Sequence, residues 1–172
     1  MKKLLVLCAF LASTAQAGSF ASPIEVCFSP GGGCLAKLVS KLNAAQHTID
    51  VAIYSFTAEE IAAVLKARKN AGVAIRVVAD KSQNPINSYG SQLSTVVDAG
   101  IPVKYGNASL RIMHDKFALV DGVLLQTGSF NYTYSANTSN AENQLYITDP
   151  IVIAKYKAEF DKLWSEGARI NP

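Results

Sequence analysis

Four polar side chains that could act together on an anion lie in one stretch of the sequence, residues 111–131. His114 and Lys116 supply an imidazole and an ammonium, and Ser129 and Asn131 supply a hydroxyl and a carboxamide. The lysine and the carboxamide can donate hydrogen bonds to phosphate oxygens. An imidazole beside the phosphorus atom can attack it and form a phosphohistidine. The sequence has no carboxylate cluster suited to a metal, so the pattern predicts covalent phosphoryl chemistry without a metal or other cofactor.

A hairpin is expected to bring these four side chains together. The Asp-Gly pair at 121–122 lies between β-rich apolar runs, which predicts a type I′ turn. With a two-residue loop, Val120 faces Val123, and counting back places His114 opposite Ser129. Residues of one parity share a face of the hairpin. We therefore expect the polar side chains to converge at the open end of the hairpin.

Strands alternate with helices along the rest of the chain. Thr57 followed by Glu60 predicts a capping box at the start of one helix. Strands are predicted at 24–28, 48–56, 73–79, 102–105 and 144–148, and helices at 35–45, 57–70, 88–99 and 150–166. Strands that are apolar on both sides indicate an α/β fold, with a mixed β-sheet sandwiched between helices.

The order of the polar residues resembles the phospholipase D superfamily and its HKD motif. The resemblance rests on His114-x-Lys116-x4-Asp121, then Gly128-Ser129-x-Asn131, then Asn140-x-Glu142. The chain is similar to the small bacterial endonucleases of that superfamily, which carry one motif per chain. Asp121 belongs to the motif as a candidate catalytic residue, but it is explained at least as well as a turn residue of the hairpin.

The resemblance implies a role for each remaining residue of the motif. His114 would be the nucleophile, and Lys116 and Asn131 would bind the phosphate oxygens. Ser129 would add a further hydrogen bond to the phosphate. Glu142 would orient and polarise His114 through its other ring nitrogen.

The same resemblance predicts a homodimer. The two-step mechanism of the family uses two histidines, one to attack and one to protonate the leaving oxygen. This chain has one motif and two histidines in all, His114 and a poorly placed His47. A second copy would supply the second imidazole, so the site would straddle a two-fold axis.

Three functions fit these observations. The first is a sequence-nonspecific endonuclease that cleaves DNA or RNA, because it would bind the backbone phosphates that every sequence shares. The second is a phospholipase D that acts on phospholipid head groups. The third, from another class, is a catalytically inactive phosphate-binding module.

The N-terminus predicts export. Lys2 and Lys3 precede a short apolar run, as in a signal peptide spanning 1–21, with cleavage after Ala17 or Ala21. The mature domain would span 22–172, contain no transmembrane segment, and reside in the bacterial periplasm or be secreted.

Two features of the composition concern this domain: its small net charge, which affects how it binds a phosphate, and its pair of cysteines, which affects its stability. Without the signal peptide the formal net charge of +3 falls to about +1, so a local patch must hold any phosphate. Cys27 and Cys34 can form a disulfide in an oxidising compartment.

Overall fold

The computed structural model describes residues 24–86, 88 and 90–170, so the predicted signal peptide lies outside the described residues. The strands of this part are β1 Glu25–Ser29, β2 Thr48–Ile53, β3 Ala74–Ala79, β4 Val103–Tyr105, β5 Lys116–Val120, β6 Leu124–Gly128, β7 Glu142–Ile147 and β8 Ala168–Arg169. Its helices are α1 Cys34–Asn43, α2 Glu59–Asn70, α3 Leu93–Asp98, α4 Tyr134–Thr138 and α5 Pro150–Glu166. None of these helices has the length and apolar character needed to cross a membrane.

The strands form one mixed sheet in the order β1-β7-β6-β5-β2-β3-β4-β8. β2, β3 and β4 run parallel, with α2 and α3 in their crossovers, and the other pairs are antiparallel. Because β2 and β5 are antiparallel neighbours, the end of β2 and the start of β5 meet at one edge of the sheet.

Both faces of the sheet are covered by helices. The α1–α3 side forms the larger core, which includes Leu38, Leu65 and Val96. On the other face Phe160 of α5 packs against Phe117 of β5, with the two rings edge to face. The expected α/β fold, a mixed sheet between helices, is confirmed.

The hairpin turn has the expected backbone, but the predicted register is wrong. Asp121 and Gly122 have φ of 52° and 66°, as a type I′ turn requires. The Val123 N–H donates to the carbonyl of Val120 at 3.0 Å, yet Val120 pairs with Leu124. Val123 is thus an extra, unpaired residue, and it shifts β6 by one position relative to β5.

Gly128 ends the regular pairing of β6 just before Ser129. With the observed register, continued pairing would not place His114 opposite Ser129, as was expected. β6 ends at Gly128, whose φ is 144°, and a Cβ there would lie 2.3 Å from the carbonyl oxygen of Asn143. Only glycine tolerates this approach. The chain therefore leaves the regular alternation of the strand just before Ser129, which contacts β7 instead.

Two predicted helix starts also need correction. α2 begins after Ala58 and has no side-chain cap, so the capping box predicted at Thr57 is absent. The N–H groups of Thr57 and Ala58 both donate to the carbonyl of Tyr132 at 2.8 Å, which fixes this segment from outside the helix. The helix expected at 88–99 is only Leu93–Asp98, because a turn precedes it in which the Ser91 N–H donates to the Ser88 carbonyl and the Gln92 N–H donates to the Phe56 carbonyl.

A disulfide joins β1 to α1. It links Cys27 at the centre of β1 to Cys34 at the first turn of α1, seven residues later. Both cysteines are buried in the larger core.

Candidate active site

The candidate site lies at the edge where β2 ends and β5 begins. Lys116 opens β5 and pairs with Ile53, the last residue of β2. His114 precedes β5 by two residues, and Tyr54 and Ser55 follow β2 directly. Two neighbouring antiparallel strands therefore place the end of one segment beside the start of the other.

Tyr54 contacts both predicted catalytic residues on these segments. Its ring centroid lies 4.4 Å from that of His114, in an edge contact with an interplanar angle of 60°. The Lys116 Nζ lies 4.9 Å from the centroid of the same ring, a cation–π distance. The sequence predicts no role for Tyr54, because its contacts join residues about sixty positions apart in the chain.

Lys116 is a buried cation. Its side chain is 7% exposed, and its Nζ donates to the carbonyl of His114 at 2.7 Å. Burial lowers the pKa of Lys116, and the negative charges of Asp115 and Glu142 partly offset that effect. A buried ammonium with one internal acceptor keeps further N–H groups for an anion.

Asn131 is held beside Tyr54 by the backbone. Its Oδ1 accepts from the Ser55 N–H at 3.3 Å. The carboxamide oxygen of Asn131 is thus bonded to the backbone. The NH₂ group of Asn131 donates no hydrogen bond to the other described residues. The amide nitrogen is the group that can donate to a phosphate oxygen.

Ser129 and Glu142 form a second cluster on the other side of β6. The Ser129 hydroxyl donates to the Glu142 carboxylate and accepts from the Asn143 N–H at 3.1 Å. Asn140 Nδ2 donates to Glu142 Oε1 at 3.0 Å. Among the described residues Glu142 thus bonds Ser129 and Asn140, and not the ring of His114 as expected. β6 lies between β7, which carries Glu142, and β5.

Asp121 does not join the site. Its carboxylate accepts from the N–H groups of Gln46, His47 and Thr48 at 2.7–2.8 Å, at the start of β2. Burial raises the pKa of Asp121, but the three backbone donors outweigh burial and hold it below its usual value. The length of β5 separates Asp121 from Lys116, so its carboxylate holds the start of β2 at the opposite end of the strand.

Asp80 lies near the site, although no motif in the sequence includes it. It follows β3, is 5% exposed, and its Oδ2 accepts from the Met113 N–H at 2.8 Å. Its Oδ1 accepts from Ser82 and Gln83. The carboxylate therefore fixes the backbone directly before His114.

Asn84 has a similar role on the β2 side. It is fully buried, accepts from the Phe56 N–H at 2.8 Å and donates to the Tyr54 carbonyl at 2.6 Å.

In the part of the chain that the structure describes, no group of three or more His, Cys, Asp or Glu side chains could hold a metal ion. The arrangement offers an imidazole, an ammonium and an amide to an anion.

Comparison with known proteins identifies the family. Residues 38–164 match the family described as "Cardiolipin synthase, PLD-like domain". The crystal structure of the phospholipase D family member Nuc from Salmonella typhimurium has a TM-score of 0.80, with 31% identity. That likeness covers 87% of this chain and 99% of Nuc.

Curated relatives carry a different name. The mitochondrial cardiolipin hydrolase of Chlamydomonas reinhardtii is 37% identical over 76% of this chain, and that of Xenopus laevis is 32% identical over 84%. This chain spans 57% of the length of the algal protein and 69% of that of the frog protein.

The comparisons test two earlier expectations. The prediction of a bacterial exported protein is wrong, because these relatives are named as mitochondrial proteins and point to the mitochondrion rather than to the periplasm or secretion. The predicted family is confirmed by the matched profile and by the relatives together. This chain belongs to the phospholipase D superfamily of phosphodiester hydrolases, and it stands close to the small bacterial nucleases of that superfamily.

Proposed function

We propose that the protein hydrolyses phosphodiesters through a phosphohistidine formed on His114. The observation that carries this proposal is the contact of one ring, Tyr54, with both His114 and Lys116 at the edge that also holds Asn131. Lys116 and Asn131 would bind the phosphate oxygens, and both gain strength as negative charge develops there. Ser129 would add a donor only by turning its one O–H away from Glu142.

The two steps need two imidazoles. A ring nitrogen of His114 attacks phosphorus, the bond to the leaving oxygen breaks, and a second, protonated imidazole gives that oxygen its proton. Water then attacks phosphorus, passes a proton to the second imidazole, and releases His114. His47 lies at the opposite end of the sheet beside Asp121. We therefore propose a homodimer in which the partner's His114 is the second imidazole.

A nucleic acid is the first candidate substrate. The likeness to the phospholipase D family member Nuc, 99% of which this chain covers, supports an endonuclease. Binding through Lys116 and Asn131 would involve only the phosphate, which carries no sequence information. We therefore expect cleavage of DNA or RNA with little sequence preference.

A phospholipid is the second candidate substrate. Two observations favour it. The relatives named cardiolipin hydrolases are 37% and 32% identical to this chain over the 130 and 148 residues that align. An apolar cavity also opens beside the site.

Side-by-side assays test the proposal. The purified protein is incubated with plasmid DNA and with cardiolipin vesicles in excess EDTA. We expect turnover of at least one substrate to survive the chelator, because the nucleophile is an imidazole. His114→Ala should remove that turnover, since it deletes both imidazoles of the proposed site. Activity that is lost in EDTA and restored by magnesium would contradict the mechanism, and a folded protein inactive on both substrates would favour a phosphate-binding module.

A further inference from the structure

A cavity of about 830 Å³ opens at the same edge of the sheet as the candidate site. It lies beyond the ends of β3 and β4, between the loop that follows Asp80 and the loop that follows Tyr105. Met113, which lines it, directly precedes His114. β3 is the second strand from β5, so about 10 Å separates the cavity from the start of β5. One substrate molecule can therefore reach both.

The walls of the cavity are apolar, and most of its polar groups are already bonded. Ile86, Leu110 and Met113 supply aliphatic surface. Asp80 binds Ser82, Gln83 and the Met113 N–H. The Tyr105 hydroxyl accepts from the Ile86 N–H at 3.1 Å and donates to the Asn84 carbonyl at 3.1 Å. Asn107 donates to Glu166 and accepts from the Ser109 N–H.

Two cations are the polar groups that remain for a ligand. Lys81 and Arg111 line the cavity and are exposed, and neither forms an ion pair with a described residue. The Asp80 carboxylate stays ionised, because burial raises its pKa less than its four donors lower it, but it is 5% exposed and those donors hold it against the loop. The cavity thus combines an aliphatic wall with a positively charged rim, which is complementary to an apolar chain attached to an anionic group.

We infer that the cavity binds an aliphatic chain of an anionic phospholipid whose phosphodiester lies at His114. A nucleobase would need hydrogen bonds to its edge or an aromatic face to stack on. The lining offers two free cations and one aromatic ring, Tyr105, whose hydroxyl is already bonded, so most of its surface suits neither kind of contact. An aliphatic chain needs neither kind of contact. This inference rests on the second substrate proposed above and assigns it a binding site.

Relative turnover tests the inference. Wild type and Leu110→Gln are compared on three substrates: the soluble diester bis-para-nitrophenyl phosphate, monomeric dihexanoyl phosphatidylglycerol, and a DNA oligonucleotide. Leu110 is 47% exposed, so the substitution should fold. We expect the ratio of lipid to soluble-diester turnover to fall about tenfold, with the DNA ratio unchanged. Val123→Gln, at the 65% exposed hairpin tip on the opposite edge, should change neither ratio.

The other outcomes overturn the inference. A fall in the DNA ratio alone would show that the cavity holds a nucleotide, and no change in either ratio would show that it holds neither ligand.

Binding is measured separately, by calorimetry of dihexanoyl phosphatidylglycerol with His114→Ala protein, which needs no turnover. Binding that Leu110→Gln weakens supports the cavity even if no substrate is hydrolysed, in which case the proposed function alone has failed. Absence of lipid binding overturns the inference whatever the turnover.

Discussion

Lys116 shows how a single residue links folding to chemistry. A buried ammonium is costly unless it is hydrogen-bonded or paired. Here one N–H group is bonded to the His114 carbonyl, and the Tyr54 ring covers the charge from one side. The remaining N–H groups of Lys116 have no acceptor among the described residues, so a bound phosphate would complete the hydrogen bonds of the ammonium. Binding of an anion should therefore stabilise the folded protein as well as position the substrate.

The pH dependence of the rate should reveal the titration of this lysine. Because burial lowers its pKa, Lys116 loses its proton at a lower pH than an ordinary lysine, and activity should fall as pH rises through that lowered value. Lys116→Ala should reduce kcat/KM about 100-fold. Lys116→Arg should retain part of the rate and move the alkaline limit upward, since guanidinium stays charged. The exposed Lys155→Arg is the control, and an alkaline limit unchanged in Lys116→Arg would contradict this role.

The sequence was sufficient to predict some residues of the site and not others. His114, Lys116 and Asn131 belong to a short motif with fixed spacing, so their types and order are visible in the chain itself. Tyr54 and Asp80 contact this motif only through strand order. No spacing rule connects residues on three different strands, and this is why their contacts emerged only from the fold.

At the scale of elements, the end of β3 is connected to the segment before β5 by Asp80. Asp80→Asn keeps the shape of the side chain but places an NH₂ group against backbone or hydroxyl donors. We expect kcat to fall about 100-fold on every substrate, because the backbone before His114 is displaced, while KM changes little. Asp50→Asn provides the control, since Asp50 is equally buried but bonds Arg76 away from the site. It should lower the melting temperature without lowering kcat. Equal effects of the two variants on kcat would show that Asp80 is merely structural.

The turn between β5 and β6 illustrates the limit of predicting registers. The Asp-Gly pair correctly predicted a turn with two positive φ angles. The extra residue Val123 could not be inferred, because a bulge depends on which neighbouring strand the residue packs against. Gly128 then ends the regular strand through a backbone conformation that only glycine adopts readily, and Ser129 bonds Glu142 and Asn143 of β7. These two local deviations separate Ser129 from the convergence with His114 that a regular hairpin had predicted.

Asp121 at this turn should contribute to stability rather than to catalysis. Its pKa is lowered in the folded state, so its contribution is complete above its ordinary pKa and is lost as pH falls through the lowered one. Asp121→Asn should cost about 1 kcal/mol of unfolding free energy at neutral pH, because the amide keeps the turn but accepts fewer hydrogen bonds. Urea unfolding at several pH values measures this difference, which should shrink in acid. A folded Asp121→Asn protein without activity would show that the residue has a catalytic role.

At the scale of the whole molecule, an exposed apolar strip lies next to the Ser129 cluster. Val26 and Phe28 of the edge strand β1 are 45% and 66% exposed. Phe28 pairs with Asn143, whose N–H donates to Ser129. The strip is therefore continuous with the Ser129 cluster, and an exposed apolar strip of this kind suits a contact between two copies. This continuity supports the proposed homodimer, in which neither subunit has a complete site.

Mixed dimers provide the test of the shared site. Light scattering should first give twice the mass of one chain. Wild-type chains are then co-expressed with His114→Ala chains, and the mixed dimer is isolated through two different tags. A shared site requires one imidazole to attack while the other donates a proton, so the mixed dimer should fail to complete the cycle although half its chains are intact. The matched control is a dimer of wild-type chains that carry the same two tags. If the mixed dimer instead keeps about half of the control rate, each subunit acts alone, because independent sites lose activity only in proportion to the chains replaced.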